Sequence, residues 1–148
     1  MPKQKPLNWK YINKILKHIH KEPKRLWMGI EGAKEGKYTF DNISFFPPPK
    51  GSFPACGMQA CFYGWSKILR TKFPKFNSCG ELKINNEKES KLLGFTPEEQ
   101  EAVYYTGAEK TDRELQRLLL KYSLSEIVAA RIASGEKSAK RIRLDYLD

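Results

Sequence analysis

The stretch "CGMQACFYGWSKILR", residues 56–70, decides the fold because its apolar residues recur with the period of a helix. We predict a helix over residues 57–70, with Cys61 facing the core. The residues of the apolar face are Met58, Cys61, Phe62, Trp65, Ile68 and Leu69. A neighbouring strip carries the small residues Gly57, Ala60 and Gly64. Small side chains allow a second backbone to approach such a helix closely.

Length and composition favour one soluble domain. The chain has 148 residues, which predicts a single domain over 1–148 with a core of its own. No apolar run approaches the roughly 18 residues that a membrane span needs, so we expect no membrane association. The N-terminal segment lacks the apolar region of a signal peptide. Three cysteines at irregular spacing do not form a disulfide framework, so we expect reduced thiols and a cytoplasmic location.

The net charge of +10 is unevenly distributed along the chain. Residues 1–25 hold eight Lys and Arg against one Glu, a net charge of +7. Residues 76–114 hold five positive against nine negative side chains, a net charge of −4. A basic front and an acidic middle indicate a directional surface field. A polyanionic partner would use that field, and solubility alone is the alternative explanation.

The first predicted helix has a basic face opposite its apolar face. It is capped by Asn8 and ends at Glu22-Pro23, because a residue that precedes proline avoids the helical region. Its apolar residues are Trp9, Ile12, Ile15, Leu16 and Ile19. Its opposite face carries Lys10, Lys14, Lys17 and Lys21. This face is either simply solvated or a surface that contacts phosphates or a protein partner.

Capping signals predict further helices in the C-terminal half. Thr96 at the N-cap, Pro97 at the first helical position and Glu99 three residues after the cap form a capping box. The same signal predicts two short helices over 111–122 and 123–135.

Three other segments are predicted to be less regular. Residues 73–90 should form a loop with a weak strand at 81–84. The tail 136–148 is basic and then acidic, and we expect it to form a last short helix or to dock on the domain. Residues 30–55, rich in Gly and Pro, should form an insertion that is irregular or holds a short β-hairpin over 38–46. The predicted fold is therefore mainly α, with about five helices in one compact domain that carries this insertion.

The order of these motifs resembles a family of small uncharacterised bacterial and phage proteins. Their pattern is a "CGTxACIAGWA"-like helix, then an "LGLTxEQAxxLF"-like helix and an "AAARI"-like helix. The resemblance covers residues 12–28, 56–69, 92–107 and 127–135. The matching positions of the first motif are Cys56, Gly57, Ala60, Cys61, Gly64 and Trp65. The departures from it are Met58, Phe62 and Tyr63. The resemblance implies a bacterial or phage origin and a helical fold, and it transfers no catalytic residue.

Cysteine chemistry is the first hypothesis for a reactive site. Cys56 at the start of the predicted helix would have a lowered thiol pKa, with His18 or His20 as general base. A metal site from Cys56, Cys61, Cys79 and a histidine fits poorly, because structural zinc ligands are usually paired two to four residues apart. We therefore predict no metal site. The alternative for Cys79 is a disulfide with either other cysteine.

Nucleic-acid binding is the second hypothesis. The helices over 111–122 and 123–135 loosely resemble a helix-turn-helix. The second of them offers mainly Arg131 and Ser134 to bases, so sequence-specific reading of DNA or RNA looks poor. Non-specific phosphate binding through basic residues is better supported. Its candidates are Lys10, Lys14, Lys17, Lys21, Lys137, Lys140, Arg141 and Arg143.

Protein binding is the third hypothesis, as an interaction or inhibitor factor that docks on a host or defence protein. Exposed aromatic residues of the insertion would be the anchors, because aromatic side chains dominate interface hot spots. The candidates are Tyr38, Phe40, Phe45 and Phe46. No glycine-rich phosphate loop, paired catalytic carboxylates or Ser-His-Asp signature occurs in the sequence. We therefore expect a binding protein rather than an enzyme, with no cofactor. A protein-interaction or inhibitor role comes first, non-specific nucleic-acid binding is the alternative, and a cysteine-dependent hydrolase comes last.

Overall fold

The computed structural model describes residues 5–28, 30–38, 48, 51–104 and 112–148. Within these ranges the chain forms five α-helices and a two-stranded antiparallel sheet, which confirms the predicted mainly α fold. The helices are α1 (Trp9–Lys21), α2 (Phe62–Arg70), α3 (Asn86–Leu93), α4 (Pro97–Tyr104) and α5 (Arg113–Ala133). The strands are β1 (Gly32–Lys34) and β2 (Met58–Ala60). Short 3-10 turns occur at Pro23–Arg25, Lys137–Arg141 and Leu144–Leu147.

Helix α1 confirms both predicted ends. The Asn8 side chain accepts a hydrogen bond from the backbone N–H of Tyr11 at 3.2 Å, which satisfies one of the free donors of the first turn. The helix ends at Lys21, and Glu22 before the proline adopts extended backbone geometry. Its buried residues are Ile12, Ile15, Leu16 and Ile19.

The stretch 56–70 is not one helix, so the prediction of a helix from residue 57 is wrong. Residues 58–60 form β2, with Ala60 opposite Gly32 of β1. Helix α2 begins only at Phe62, and Cys61 is its N-cap, whose Sγ accepts from the backbone N–H of Gly64 at 3.3 Å. The strand was not predictable from periodicity because its pairing partner lies more than twenty residues earlier in the chain.

Gly64 confirms the prediction that a second backbone approaches α2 closely. A Cβ built on Gly64 would lie 1.7 Å from the carbonyl oxygen of Glu31 and 2.8 Å from the Cβ of Ala60. The residues before β1 therefore cross α2 where it has no side chain. The predicted core position of Cys61 is also confirmed, since it is 6% exposed, and this burial raises its thiol pKa to about 12.

The predicted helix-turn-helix is wrong, because residues 113–133 form the single continuous helix α5. Asp112 caps its start by accepting from the backbone N–H of Glu114 at 2.9 Å. The predicted break at Ser123 lies in the middle of the helix. The buried residues Leu120, Leu124 and Ile127 continue at helical spacing across it, so packing favours an unbroken helix.

Residues 73–90 contain a helix where a loop was predicted. Helix α3 begins after Asn85, which accepts from the backbone N–H of Lys88 at 3.1 Å. It is short, and half of its eight residues are charged, so its only strong signals are its caps. The buried carboxylate of Glu89 joins it to α2 by accepting from the Ser66 hydroxyl at 2.9 Å. The weak strand predicted at 81–84 is reduced to isolated bridges.

Helix α4 has the predicted capping box. The backbone N–H of Thr96 donates to the Glu99 carboxylate at 2.8 Å, and the backbone N–H of Glu99 donates to Thr96 Oγ1 at 3.2 Å. One hydrophobic core contains buried residues from α1, α2, α3, α4, α5 and the tail. A smaller cluster of Trp27, Ile30, Ala33 and Tyr38, with Phe53 packed against it, lies at the base of the insertion.

Candidate functional site

The four lysines predicted on α1 form an exposed stripe. Lys10, Lys14, Lys17 and Lys21 are all solvent-exposed. With about 100° of rotation per residue they lie on the side of the helix opposite its buried isoleucines. Helix α1 contains no acidic residue, and none of these lysines forms an ion pair with a carboxylate in the described ranges. The stripe is therefore a row of unneutralised positive charge.

The C-terminal tail docks along α1, as predicted for one of its two alternatives. Glu136 at its start accepts from the backbone N–H of Leu7 at 3.2 Å. Near its end, the His20 Nδ1–H donates to the carbonyl of Tyr146 at 3.1 Å. Ala139, Ile142 and Leu147 of the tail are buried. The tail thus runs parallel to α1 from its first turn to its last.

Asn13 holds the middle of this tail. Its Nδ2 donates to the Arg141 carbonyl at 2.9 Å, and its Oδ1 accepts from the Arg143 backbone N–H at 2.7 Å. The side-chain amide thus donates to one backbone carbonyl and accepts from one backbone N–H, as a neighbouring β-strand would. The two bonds fix the position of the tail along the helix. Asn13 was not among the predicted site residues. The one feature of the sequence that could have indicated this role is the position of Asn13 between the apolar face and the lysine face of α1.

Trp9 joins the cations of the helix to those of the tail. The guanidinium carbon of Arg141 lies 5.0 Å from the Trp9 ring centroid, and Lys10 Nζ lies 5.6 Å from it. Both distances are within the range of cation–π attraction. The side of α1 that contacts the tail and the side that carries the four lysines are roughly 90° apart around the helix axis, by the helix repeat. Two basic segments that are more than 100 residues apart in sequence therefore share one surface.

We call this surface the basic face, and define it by seven cations. They are Lys10, Lys14, Lys17, Lys21, Lys140, Arg141 and Arg143. Arg143 is partly neutralised, since its guanidinium donates to Asp145 at 2.8 and 3.0 Å, which raises the pKa of Arg143 and lowers that of Asp145. The other six have no carboxylate partner among the described residues. Lys137, also predicted, is exposed at the start of the tail.

The structure does not place Cys56 as the cysteine hypothesis requires. Cys56 lies in an exposed turn before β2, and not at a helix N-terminus as predicted. Its Sγ donates to the Met58 carbonyl at 3.6 Å. In the part of the chain that the structure describes, neither histidine hydrogen-bonds to Cys56. All three cysteines are free thiols.

The two histidines are engaged elsewhere. His18 packs on Trp65, with ring centroids 4.4 Å apart, and its Nδ1 accepts from Arg25 at 3.1 Å. Burial, together with the nearby charges of Arg25 and Lys21, lowers the pKa of His18 to about 4. His18 is therefore neutral at physiological pH. His20 is used in docking the tail, as described above.

The predicted aromatic anchors are not displayed by the described residues. Tyr38 is buried in the small cluster with Trp27, so it is not available to a partner without rearrangement. Phe40, Phe45 and Phe46, and the hairpin predicted around them, lie outside the described residues. A protein-interaction or inhibitor role therefore stays a prediction.

Arg131, predicted as a weak base reader, is instead a buried structural residue. It is 2% exposed, and all five of its N–H donors are used. They bind the carboxylates of Glu99 and Glu136 and the carbonyls of Lys5 and Gly94, at 2.6–2.9 Å. Arg131 thus ties four segments together. Nothing in the helical spacing of "VAARIASG" distinguishes such a residue from an exposed arginine.

Comparison with protein-family models, with curated proteins and with solved structures finds no match for this chain. The family resemblance therefore stays a prediction for all four of its ranges, 12–28, 56–69, 92–107 and 127–135. Within the described ranges, no helix is both long and apolar enough to cross a membrane. Over the same residues, no group of three or more His, Cys, Asp or Glu side chains is placed to hold a metal ion.

Proposed function

We propose that the basic face binds the phosphate backbone of a nucleic acid without reading its sequence. The observation that supports this most is the docking of the tail on Asn13, which places the tail cations beside the lysine stripe of α1. Concentrated, unneutralised cations release counterions from a nucleic acid on binding, and that release dominates non-specific affinity. Arg131 is buried, which argues against base reading by α5.

The size of the stripe suits a polyanion. Lys10 and Lys21 are eleven positions apart on α1, which is about 16 Å at about 1.5 Å per residue. Phosphates repeat along each DNA strand at about 3.4 Å of helix axis. Several phosphates would therefore face the stripe at once. A small anion would use only one or two of these lysines.

Replacing the four lysines of the α1 stripe by glutamine should weaken binding to a DNA or RNA oligonucleotide by about tenfold or more at low salt. Each lost phosphate contact should also reduce the slope of log affinity against log salt by about 0.9 for duplex DNA. Fluorescence anisotropy with a labelled oligonucleotide measures both quantities. Circular dichroism should show an unchanged fold, because the four side chains are exposed.

A matched variant removes the same charge elsewhere. Its four substitutions to glutamine are at the exposed positions Lys34, Lys37, Lys83 and Lys88. We expect it to keep most of the affinity and of the salt slope. Equal losses in both variants would mean that net charge, rather than the basic face, governs binding, and the proposal would fail.

Asn13→Ala should weaken nucleic-acid binding severalfold although it changes no charge. It removes the two hydrogen bonds that hold the middle of the tail on α1, so Arg141 and Arg143 should lose their fixed position beside the lysines. Limited proteolysis reports release of the tail, and anisotropy reports affinity. Asn86→Ala on α3 is the matched control and should change neither. A released tail with unchanged affinity would exclude the tail from the binding surface.

A further inference from the structure

Phe73 is the most exposed of the large hydrophobic residues in the described ranges, with 77% of its surface accessible. It follows the C-terminal end of α2, in the segment "TKFPKF" at residues 71–76. A single exposed apolar residue is ordinary on a protein surface, so exposure alone does not indicate a function. What distinguishes Phe73 is its surroundings.

Phe73 is exposed and is flanked in the sequence by two exposed lysines, Lys72 and Lys75. Residues 66–80 contain four Lys and Arg and no acidic residue, and one of these cations, Arg70, is paired with the Glu89 carboxylate of α3. Lys72 Nζ lies 5.7 Å from the ring centroid of Phe73. Lys75, two residues further on, is exposed. An aromatic ring with cations on either side in the chain combines a stacking surface with phosphate ligands.

The segment that carries Phe73 is anchored at both ends. The backbone N–H of Thr71 donates to the Ile68 carbonyl at 3.3 Å, and Phe76 forms a bridge with Leu82. Pro74 restricts the backbone of Phe73 to extended conformations. The ring is therefore presented by a restrained turn, which reduces the entropy lost when it contacts a ligand.

This segment also emerges beside α1. The hydroxyl of Tyr11 donates to the carbonyl of Ser66 in α2, four residues before that helix ends. Tyr11 follows Lys10 of the basic face directly. Tyr11 and Lys10 point to different sides of α1, so this contact shows only that α2 packs on α1 ahead of the Phe73 segment.

We propose that Phe73 stacks on an unpaired nucleobase while Lys72 and Lys75 contact the flanking phosphates, so that the protein prefers single-stranded to double-stranded nucleic acid. The inference rests on the proposed function. In a duplex the faces of the bases are covered by their neighbours, whereas in a single strand they are open. Base–aromatic stacking of this kind is strong and tolerates any sequence.

Phe73→Ala should weaken binding to a single-stranded oligonucleotide about 5- to 100-fold. Binding to a duplex of the same length should stay unchanged, because the basic face is intact. Phe73→Tyr should keep the wild-type preference, since it retains an aromatic ring. A 2-aminopurine base in the oligonucleotide gives a direct readout, as stacking on Phe73 should quench its fluorescence. Tyr122→Ala, at a residue 64% exposed on α5, is the matched control.

Several results would overturn the inference. Equal losses on single and double strands would mean that Phe73 only positions the basic face. Unchanged binding in Phe73→Ala would remove the stacking site but leave the proposed function standing. Absence of wild-type binding to any oligonucleotide at low salt would remove both. Binding to vesicles of anionic phospholipid that depends on Phe73, without such dependence for oligonucleotides, would identify a membrane-surface contact instead.

Discussion

Replacing Arg131 by methionine should lower the free energy of unfolding by about 3–5 kcal/mol, the usual cost of breaking a buried ion pair from one side. Methionine keeps much of the volume of the arginine stem but removes all five donors. The Glu99 carboxylate, which accepts from Arg131 at 2.6 and 2.9 Å, would then be left without its charged partner. Two backbone carbonyls, of Lys5 and Gly94, would lose a donor as well.

Urea unfolding followed by circular dichroism measures this loss. Arg117→Met is the matched control, because Arg117 lies on the same helix and forms no ion pair with a described carboxylate. We expect the control to change the unfolding free energy by less than about 1 kcal/mol. Equal effects of the two substitutions would refute the assignment of Arg131 as the residue that ties these segments together.

The same site predicts an acid-sensitive component of stability. Burial alone would raise the pKa of Glu99, but hydrogen bonds from Arg131 and from Thr96 outweigh it and lower that pKa below its ordinary value of 4.5. A lowered carboxyl pKa stabilises the fold above pH 4.5, and the contribution is lost as the pH falls through the folded-state pKa. The gap between wild type and Arg131→Met should therefore narrow from pH 7 to pH 3.5. A gap that is unchanged or wider at pH 3.5 would contradict this account of Glu99.

Gly64→Ala should have the second large effect, a destabilisation of about 3 kcal/mol or more. Helix propensity alone predicts the opposite sign, because alanine is favoured over glycine in a helix by about 1 kcal/mol. The close approach of Glu31 decides the outcome, since the new Cβ would lie 1.7 Å from its carbonyl oxygen. That oxygen belongs to the backbone, so relieving the clash requires α2 and the chain before β1 to separate.

Thermal and urea unfolding of the Gly64→Ala variant test this prediction. Gly36→Ala is the control, because nothing lies within 4 Å of its added Cβ. Only its positive φ of 85° opposes the substitution, at a cost of about 1–2 kcal/mol. Stabilisation of Gly64→Ala, or a smaller loss than in Gly36→Ala, would show that the two segments do not pack as described.

Short-range sequence signals predicted those helix ends that depend on interactions between residues close together in the sequence. The Asn8 cap, the end of α1 before Pro23 and the capping box of Thr96 and Glu99 each depend on residues within four positions of one another. Strand β2 depends on pairing with β1, which lies inside the predicted insertion, and its apolar residues fit a helix equally well. Helix α3 is decided by its caps and by the buried Glu89, which a pattern of apolar residues cannot show.

In the candidate site, too, the features set by short-range spacing were predicted and those set by long-range contacts were not. The lysine stripe of α1 follows from helical spacing, and the structure leaves all four lysines exposed. The joining of this stripe to the tail depends on Asn13 and on Trp9 beneath Arg141, contacts between segments at opposite ends of the chain. Arg131 shows the converse case. Its charge suggested a contact with a ligand. In the structure Arg131 is buried, and it donates instead to two carboxylates and two backbone carbonyls.

The most direct test of the central claim is the salt dependence of oligonucleotide binding by the wild-type protein. Affinity for labelled DNA and RNA should be measured by anisotropy between about 50 and 200 mM salt. A basic face with six unpaired cations that contacts four to six phosphates predicts a log–log slope of about −3 to −5. A slope near zero, or no binding at the lowest salt, would contradict the proposal that this face binds nucleic acid.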